Sequence, residues 1–292
     1  MHLVITDSGL GGLSICAALE KTLRETQPTR DVRMTYVNAW PEEGRGYNDL
    51  PDPAARARVF DRALSAMAGM KPDLLLVACN TLSILYELTE FRRTTGITVR
   101  GIIDPGVDLF HEALTAEPDS AVVLLGTRTT IESGVHRERL LGRSVPPDRV
   151  AAVSCHGLAT AIEHGPTSAA VDELIDTYAE RAAAIVPAGE PVYAGLCCTH
   201  YSMVADRISA ALARKTGRLV GPLDPNERLV RDVATRLTGS ARGDGVGSVQ
   251  VEVISKVGLD EGQRDGVSRA IEAVSPATAA ALRHYRRLPE LF

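Results

Sequence analysis

The chain has 292 residues, of which 45% are hydrophobic and 24% charged, so it is long enough and apolar enough to bury two cores. A formal net charge of -5 and an aromatic content of 4% argue against nucleic acid and anionic membranes as partners. No apolar run reaches the roughly 18 residues that a membrane span requires. Five cysteines without framework spacing, and an amino terminus without a signal-peptide pattern, predict a reduced, cytoplasmic protein.

Short apolar runs alternate with longer helical patterns through the first part of the chain. The pattern predicts strands over 3–5, 34–37 and 74–78, and helices over 12–23, 53–70 and from about Thr81. The last of these strands, LLLVA, is apolar on both faces, which is typical of a parallel strand covered by helices on each side. The alternation therefore predicts a parallel sheet with crossover helices.

The same order of elements recurs further along the chain. Strands are predicted over 121–125, 150–154 and 192–196, and helices over 130–141 and 168–186. Cys79 follows Asp7 at nearly the same distance along the chain as Cys198 follows Thr127. We interpret this spacing as two similar α/β lobes that face each other, with a coincidence between unrelated lobes as the alternative.

After Leu219 the chain is predicted to return to the first lobe. The predicted division assigns residues 1–98 and 206–292 to that lobe and residues 99–205 to the second. Within the returning segment we predict a helix over 227–237, a flexible loop over 240–248, an edge strand over 249–255 and a helix over 261–273.

Two cysteine motifs, VACNT at 77–81 and LCCTHY at 196–201, share one design. Each ends a buried strand with a thiol and opens the next helix with Asn or Thr groups. The carboxyl edge of a parallel sheet is where ligands bind, and a helix amino terminus favours carboxylates and thiolates. For any single cysteine, simple packing is the alternative. We assign packing to Cys16, Cys155 and Cys197, the last because side chains alternate along a strand.

A glycine-rich turn follows the first strand in ITDSGLGGLSI, residues 5–15. Asp7 and Ser8 lie at this strand-to-helix turn, and the glycines would let the backbone approach a ligand closely. The glycine spacing does not match a dinucleotide or triphosphate loop. A helix-capping role for Asp7 is the alternative interpretation.

Five motifs, in the same order, resemble the aspartate/glutamate racemase family, most closely its glutamate racemases: TDSGLGGL, VACNT, DPG (104–106), GTRTTIESG (126–134) and CTHY (198–201). The resemblance covers about residues 3–235. It implies two pseudosymmetric parallel-sheet α/β lobes with the active site in the cleft between them. It also implies a racemase without cofactor or metal that interconverts L- and D-glutamate, as in peptidoglycan biosynthesis. The implied partner is a small acidic amino acid, with a homodimer as a candidate assembly.

The resemblance also assigns roles to particular residues. Cys79 and Cys198 would be the two acid/base thiols, Asp7 would assist Cys79, and His200 would assist Cys198, with Glu163 a carboxylate near the second thiol. The residues that would bind the substrate are Ser8, Tyr47, Asn48, Asn80, Thr81, Thr130 and Thr199.

Some positions depart from the family pattern and leave the substrate side chain open. The family's Pro-Tyr-Gly loop is matched here by Gly46-Tyr47-Asn48, Asn38 stands where an aspartate is usual, and Ser202 replaces a proline after CTHY. Arg45 is either a partner for a side-chain carboxylate or a solvated loop charge. The alternatives are racemisation of aspartate or another substrate such as a hydantoin, decarboxylation of a malonate, or a non-catalytic binding module. A thiol redox enzyme is disfavoured because CxxC is missing.

Overall fold

The computed structural model describes residues 1–186, 190–239 and 247–292, and the strands of these residues form two parallel sheets. The first lobe begins with β1 (His2–Asp7), α1 (Leu13–Glu25), β2 (Val32–Asn38), α2 (Pro53–Gly69), β3 (Leu74–Val77), α3 (Asn80–Tyr86), α4 (Glu90–Thr94) and β4 (Val99–Gly101). The second lobe contains α5 (Ile103–Ala116), β5 (Ala121–Gly126), α6 (Arg128–Glu132), α7 (Val135–Leu141), β6 (Val150–Ser154), α8 (Leu158–His164), α9 (Ala169–Ala183), β7 (Val192–Cys197), α10 (Ala205–Thr216) and β8 (Leu219–Leu223). The chain then returns with α11 (Pro225–Gly239), β9 (Val249–Ser255), α12 (Glu261–Glu272), α13 (Pro276–Arg283) and β10 (Arg286–Arg287).

Both sheets repeat one strand order. The first is ordered β10-β9-β2-β1-β3-β4 and the second β6-β5-β7-β8, and all of these neighbours pair in parallel. The β2-β1-β3-β4 core therefore matches β6-β5-β7-β8 strand for strand. This repeat confirms the predicted pair of pseudosymmetric parallel-sheet lobes and explains why the two cysteine motifs recur at similar spacing.

Helices cover both faces of each sheet, which accounts for the continuous apolar sequence of the central strands. On one face of the first sheet, Leu3 and Ile5 pack with Leu13 of α1, and on the other Val4 packs with Phe60 of α2. Separate apolar clusters flank the second sheet in the same way. Each lobe thus has its own core, and the strand ends are left to build a site.

Strand pairing differs from the predicted division of the chain at two places. β4 pairs with β3 in the first sheet, and β8 pairs with β7 in the second, whereas the predicted boundaries at 98 and 206 assigned these segments the other way. β4 has only three residues, one of them Arg100, and β8 (LVGPL) contains Gly and Pro, which are unfavourable within strands, so neither carries a clear strand pattern. The division into two domains stays a prediction, with sheet membership changing after Gly101 and after Leu223.

Three further predictions are modified by the structure. The helix expected over 130–141 is two helices, α6 and α7, separated at Gly134, whose φ of 69° is incompatible with a continuing helix. The strand at 249–255 is not an edge strand, because the short β10 pairs along its outer side. Residues 240–246 of the expected flexible loop lie outside the described residues. None of the described helices combines the length and apolarity needed to cross a bilayer.

Candidate active site

A cavity of about 340 Å³ lies between the lobes, at the carboxyl ends of β1, β3, β5 and β7. This is the edge at which parallel sheets present ligand-binding groups. Every catalytic and substrate-binding residue predicted from the sequence lines it. Cys79 lines it from the first lobe and Cys198 from the second, and the neighbouring Cys197 also lines it but is fully buried and packs in an apolar cluster of the second lobe.

Cys79 lies between β3 and α3, and its side chain is buried. The hydroxyl oxygen of Ser8 lies 3.2 Å from Cys79 Sγ. Burial raises the pKa of the Cys79 thiol and the nearby Asp7 carboxylate raises it further, while hydrogen bonds from Ser8 and Leu82 act in the opposite direction. The surroundings therefore favour the protonated form of Cys79.

Cys198 directly follows β7 and contacts an imidazole held by a carboxylate. Its Sγ lies 3.6 Å from His200 Nδ1, and His200 Nε2 lies 2.6 Å from Glu163 Oε1. Burial alone would lower the pKa of His200, but Cys198 and Glu163 together raise it well above its ordinary value. Burial alone would raise the pKa of Glu163, yet the His200 contact and the Leu10 amide hold it below its ordinary value. The second thiol therefore faces an imidazolium backed by a carboxylate.

Asp7 makes different contacts from those the sequence implied. Asp7 Oδ2 accepts a hydrogen bond of 2.9 Å from the Thr199 hydroxyl, and Oδ1 accepts one of 3.1 Å from the Gly9 amide. Burial raises the pKa of Asp7. Asp7 influences Cys79 through its charge, whereas the hydroxyl that touches Cys79 is that of Ser8. The Thr199 hydroxyl thus links the second lobe to Asp7 of the first, while Thr199 also lines the cavity, and its role in binding substrate stays a prediction.

Hydroxyl groups of three threonines converge across the cleft. Thr81 Oγ1 lies 3.2 Å from both Thr127 Oγ1 and Thr130 Oγ1, which are 3.0 Å from each other. On the rim, the Thr129 hydroxyl donates to Asn48 Oδ1, and Arg56 Nη1 donates to Thr129 Oγ1 over 3.2 Å. The hydroxyls provide a rotatable donor and acceptor set suited to a carboxylate.

Two buried polar groups point to a ligand. Both the oxygen and the nitrogen of the Asn80 side-chain amide are buried without a hydrogen-bond partner, and so is the Tyr47 hydroxyl. Asn80 is 2% exposed and Tyr47 is 3% exposed, and both line the cavity. Unpaired buried polar groups cost about 1–3 kcal/mol each, which a bound polar ligand would offset. Both groups are available to form hydrogen bonds with a polar ligand in the cavity.

Sequence reasoning missed several residues that line the cavity, among them Trp40, Thr127, His156 and Gln263. Thr127 could have been found, because GTRTT carries a helix-capping pattern and its hydroxyl accepts from the Thr130 amide. No local signal marks the other three. Arg45 lies away from the cavity, with a side chain 48% exposed and 4.0 Å from Glu42, so the solvated-charge interpretation fits its position.

The glycine turn permits the closest approach between the lobes. A Cβ at Gly11 would stand 2.4 Å from both the Thr199 hydroxyl oxygen and His200 Nδ1. We expect Gly11→Ala to displace His200 and lower turnover by at least about tenfold, a barrier increase of roughly 1.4 kcal/mol. Steady-state kinetics check this, with Gly69→Ala as the matched control, since a Cβ there meets nothing within 4 Å. Equal activity in the two variants would contradict this steric account.

Among residues 1–186, 190–239 and 247–292, no cluster of three His, Cys, Asp or Glu side chains is arranged to hold a metal ion. The other cysteines belong to packing clusters: Cys16 in the core of the first lobe, and Cys155 and Cys197 on opposite faces of the second sheet. Around Cys79 and Cys198 the cavity presents the His200 imidazole, the Asp7 and Glu163 carboxylates and several hydroxyl and amide groups.

The two lobes, each with a cysteine at the end of the matching strand, can be compared with known protein families. A profile of the Asp/Glu/Hydantoin racemase family matches residues 4–233, and the chain belongs to this family. Its class is therefore that of the racemases, which are isomerases.

Particular relatives can be named. The glutamate racemase of Jannaschia sp. (strain CCS1) is 31% identical over 226 residues, covering 73% of this chain and 77% of the relative. The glutamate racemase of Aquifex aeolicus (strain VF5) is 33% identical over 140 residues, covering 48% of this chain and 50% of the relative. The structure of glutamate racemase isoform RacE1 from Bacillus anthracis superimposes with a TM-score of 0.67 at 19% identity, covering 93% of this chain and 92% of that one.

Proposed function

We propose that this chain interconverts the L- and D-enantiomers of an acidic amino acid, glutamate first, by cofactor-independent proton transfer between two thiols. The observation that carries the proposal is the placement of Cys79 and Cys198, one from each lobe, on one cavity. The choice of glutamate is supported by the curated relatives from Jannaschia and Aquifex, which are both named glutamate racemases. The cytoplasmic location and the homodimer stay predictions.

Racemisation removes the α-proton from one face of the substrate and adds a proton to the other. One thiolate takes the α-proton, so its S–H bond forms as the C–H bond breaks and the electron pair passes into the α-carboxylate. The opposite thiol then donates its proton to the carbon and becomes the thiolate. A thiol pKa of about 8.5 lets both forms be reached near neutrality. The protonation states are exchanged after each turnover, and the roles reverse for the other enantiomer.

The local surroundings suit the two thiols to these roles. Cys79 is held protonated by burial and by Asp7, and Cys198 faces the His200 imidazolium, which stabilises a thiolate. In this pairing Cys198 begins as the base and Cys79 as the acid. Turnover leaves Cys198 as the thiol, carrying the α-proton, and Cys79 as the thiolate, and this is the pairing from which the reverse direction starts. Charge that develops on the α-carboxylate would be stabilised by the Asn80 amide and the threonine hydroxyls.

The cation identified above in the described lining of the cavity, the His200 imidazolium, is already paired with Glu163. Among the described residues that line the cavity there is no Lys or Arg, so neutral donors must bind both carboxylates of a dicarboxylic substrate. The Asn80 amide and the Thr81, Thr127 and Thr130 hydroxyls lie together and suit one of them. Tyr47 and Asn48 line the cavity next to Gly46, against which Trp40 packs, and suit the side-chain carboxylate, the part of the site in which this chain departs from the family pattern.

The proposal is tested by incubating the protein with L-Glu, D-Glu, L-Asp and D-Asp in D₂O and following the α-proton signal by NMR. We expect loss of this signal from both glutamate enantiomers at comparable rates, since each face has its own base. Exchange of both aspartate enantiomers alone would assign aspartate instead. Absence of exchange with all four would contradict an acidic amino-acid racemase and leave the binding-module alternative.

The unpaired Asn80 amide gives a separate expected result. We expect Asn80→Ala to lower kcat/KM about tenfold to a hundredfold, because a charge-assisted hydrogen bond contributes about 1.5–3 kcal/mol. Thermal stability of the ligand-free protein should be unchanged or raised, because both amide atoms lack a protein partner. Kinetics combined with thermal unfolding checks both parts. A large loss of stability would show instead that Asn80 serves the fold.

A further inference from the structure

The segment that follows the family match reaches back into the active site. The family profile ends at residue 233, and β9 and α12 lie beyond it. β9 pairs with β2 and so belongs to the sheet of the first lobe. From there α12 extends across to α8 of the second lobe, where its Gln263 lines the cavity between the lobes.

The contact between α12 and α8 is close and specific. Gln263 Nε2 donates a hydrogen bond of 3.1 Å to Glu163 Oε2. A carboxylate accepts hydrogen bonds only, so this contact fixes the orientation of the Gln263 amide. One helical turn on, a Cβ at Gly266 would stand 2.7 Å from the Glu163 carbonyl oxygen, which shows how tightly the two backbones approach. The glycine allows α12 to come near enough for Gln263 to reach Glu163.

Glu163 is thereby held at both oxygens. Its Oε1 accepts from the Leu10 amide over 2.8 Å and meets His200 Nε2, while its Oε2 accepts from Gln263. Leu10 and Gln263 both belong to the first lobe, whereas Glu163 and His200 belong to the second. The carboxylate that orients His200 is therefore fixed by donors that cross the cleft.

On the function proposed above, we propose that Gln263 is a positioning residue, holding the Glu163 carboxylate so that it orients His200 toward Cys198. The carboxyl-terminal segment thus completes the machinery of the second thiol, although it belongs to the first lobe. Gln263 acts through Glu163, so it affects the proton-transfer step more than substrate affinity.

The first test compares Gln263→Leu with Arg269→Gln, an exposed position on the same helix. Leucine keeps the bulk of glutamine and removes the donor. We expect Gln263→Leu to lower kcat about tenfold to a hundredfold with KM changed less than about threefold, and Arg269→Gln to behave as the unaltered protein. Wild-type kcat in Gln263→Leu, or an equal loss in both variants, would overturn the proposal.

The second test measures how the activity of Gln263→Glu depends on pH. If Gln263 only stabilised the fold, this substitution would not change the shape of the pH profile. Two adjacent carboxyls share a proton at low pH and repel each other once both ionise, so the charge beside His200 becomes more negative as pH rises. The other titrating groups that act on Glu163 or feel its charge are Asp7, Tyr36, His164 and His200. We expect kcat/KM of Gln263→Glu to approach that of the unaltered protein at low pH and to fall below it as pH rises. A profile parallel to that of the unaltered protein would overturn the proposal.

A third readout needs no substrate and so separates this proposal from the proposed function. The rate of alkylation by iodoacetamide at each cysteine, followed by peptide mass spectrometry against pH, reports its thiolate. We expect Gln263→Glu to move the half-maximal pH upward for Cys198 and to leave Cys79, which contacts Ser8 instead, unchanged. Equal shifts at both thiols, or none at Cys198, would overturn the positioning role. If the expected shift at Cys198 were seen in a protein without racemase activity, the positioning role of Gln263 would be supported and the proposed reaction rejected.

Discussion

Cys79→Ala and Cys198→Ala are each expected to abolish measurable racemisation. In the proposed mechanism each thiol serves one face of the substrate, and positioned proton transfer contributes about 10²–10⁴-fold at a reacting centre. Removing either thiol leaves one face without a donor or acceptor, so the α-carbon can no longer be inverted. The measurement is the initial rate of conversion of L-Glu and of D-Glu, followed by circular dichroism.

Matched controls come from the cysteines that do not present a thiol to the reaction. Cys197 is adjacent to Cys198 and fully buried, and Cys155 lies in the core of the second lobe. Cys197→Ala and Cys155→Ala should retain turnover within about tenfold, a barrier change of roughly 1.4 kcal/mol or less. Full activity in Cys79→Ala or in Cys198→Ala would contradict the two-base mechanism.

The local parts of the site could be predicted because they depend on short stretches of sequence. A buried parallel strand, a thiol at its end and a helix that begins one residue later are all properties of about ten residues. VACNT and LCCTHY therefore indicate where Cys79 and Cys198 lie, and two such motifs indicate two lobes. The structure places both thiols on one cavity, as the strand-end argument requires.

Contacts between distant segments could not be predicted in the same way. The Thr199 hydroxyl bonds to Asp7, and Gln263 bonds to Glu163, because the lobes bring together residues remote in sequence. Nothing in EGQRDG distinguishes a glutamine aimed at a carboxylate from a glutamine in solvent. The pairing of β4 and β8 differs from the predicted division for a related reason, since it is decided by the neighbouring strand and not by their own composition.

Which substrate side chain fits the cavity depends on contacts between distant segments, which the sequence does not show. Trp40 lies against Gly46, where an added Cβ would stand 2.8 Å from the indole, and Tyr47 and Asn48 follow directly. This wall replaces the loop that the family resemblance assigns to the side-chain carboxylate. Its donors are neutral, so the length of the side chain, and not its charge alone, should decide which acidic amino acid fits.

Replacing either active-site cysteine by serine allows proton abstraction from the two faces of the substrate to be measured separately. The enantiomers of an amino acid have equal free energies, so kcat/KM must remain equal in the two directions for any variant that still racemises. A difference in basicity between the two active-site groups therefore does not appear in kcat/KM for racemisation, but in partial reactions that need only one base. A serine hydroxyl has a pKa far above that of a thiol, so serine fails as a base while the partner thiol still abstracts a proton.

We expect Cys79→Ser to retain α-deuterium wash-in from D₂O with one enantiomer, and Cys198→Ser with the other. Wash-in is measured by NMR on each enantiomer separately, and loss of a β-leaving group from a substrate analogue gives a second readout of the same proton abstraction. The two variants should thus be mirror images of each other, because Cys79 and Cys198 approach the α-carbon from opposite lobes. Residual exchange with the same enantiomer in both variants would contradict one thiol per face, since a single remaining base would then be reaching the same C–H bond from either side of the cavity.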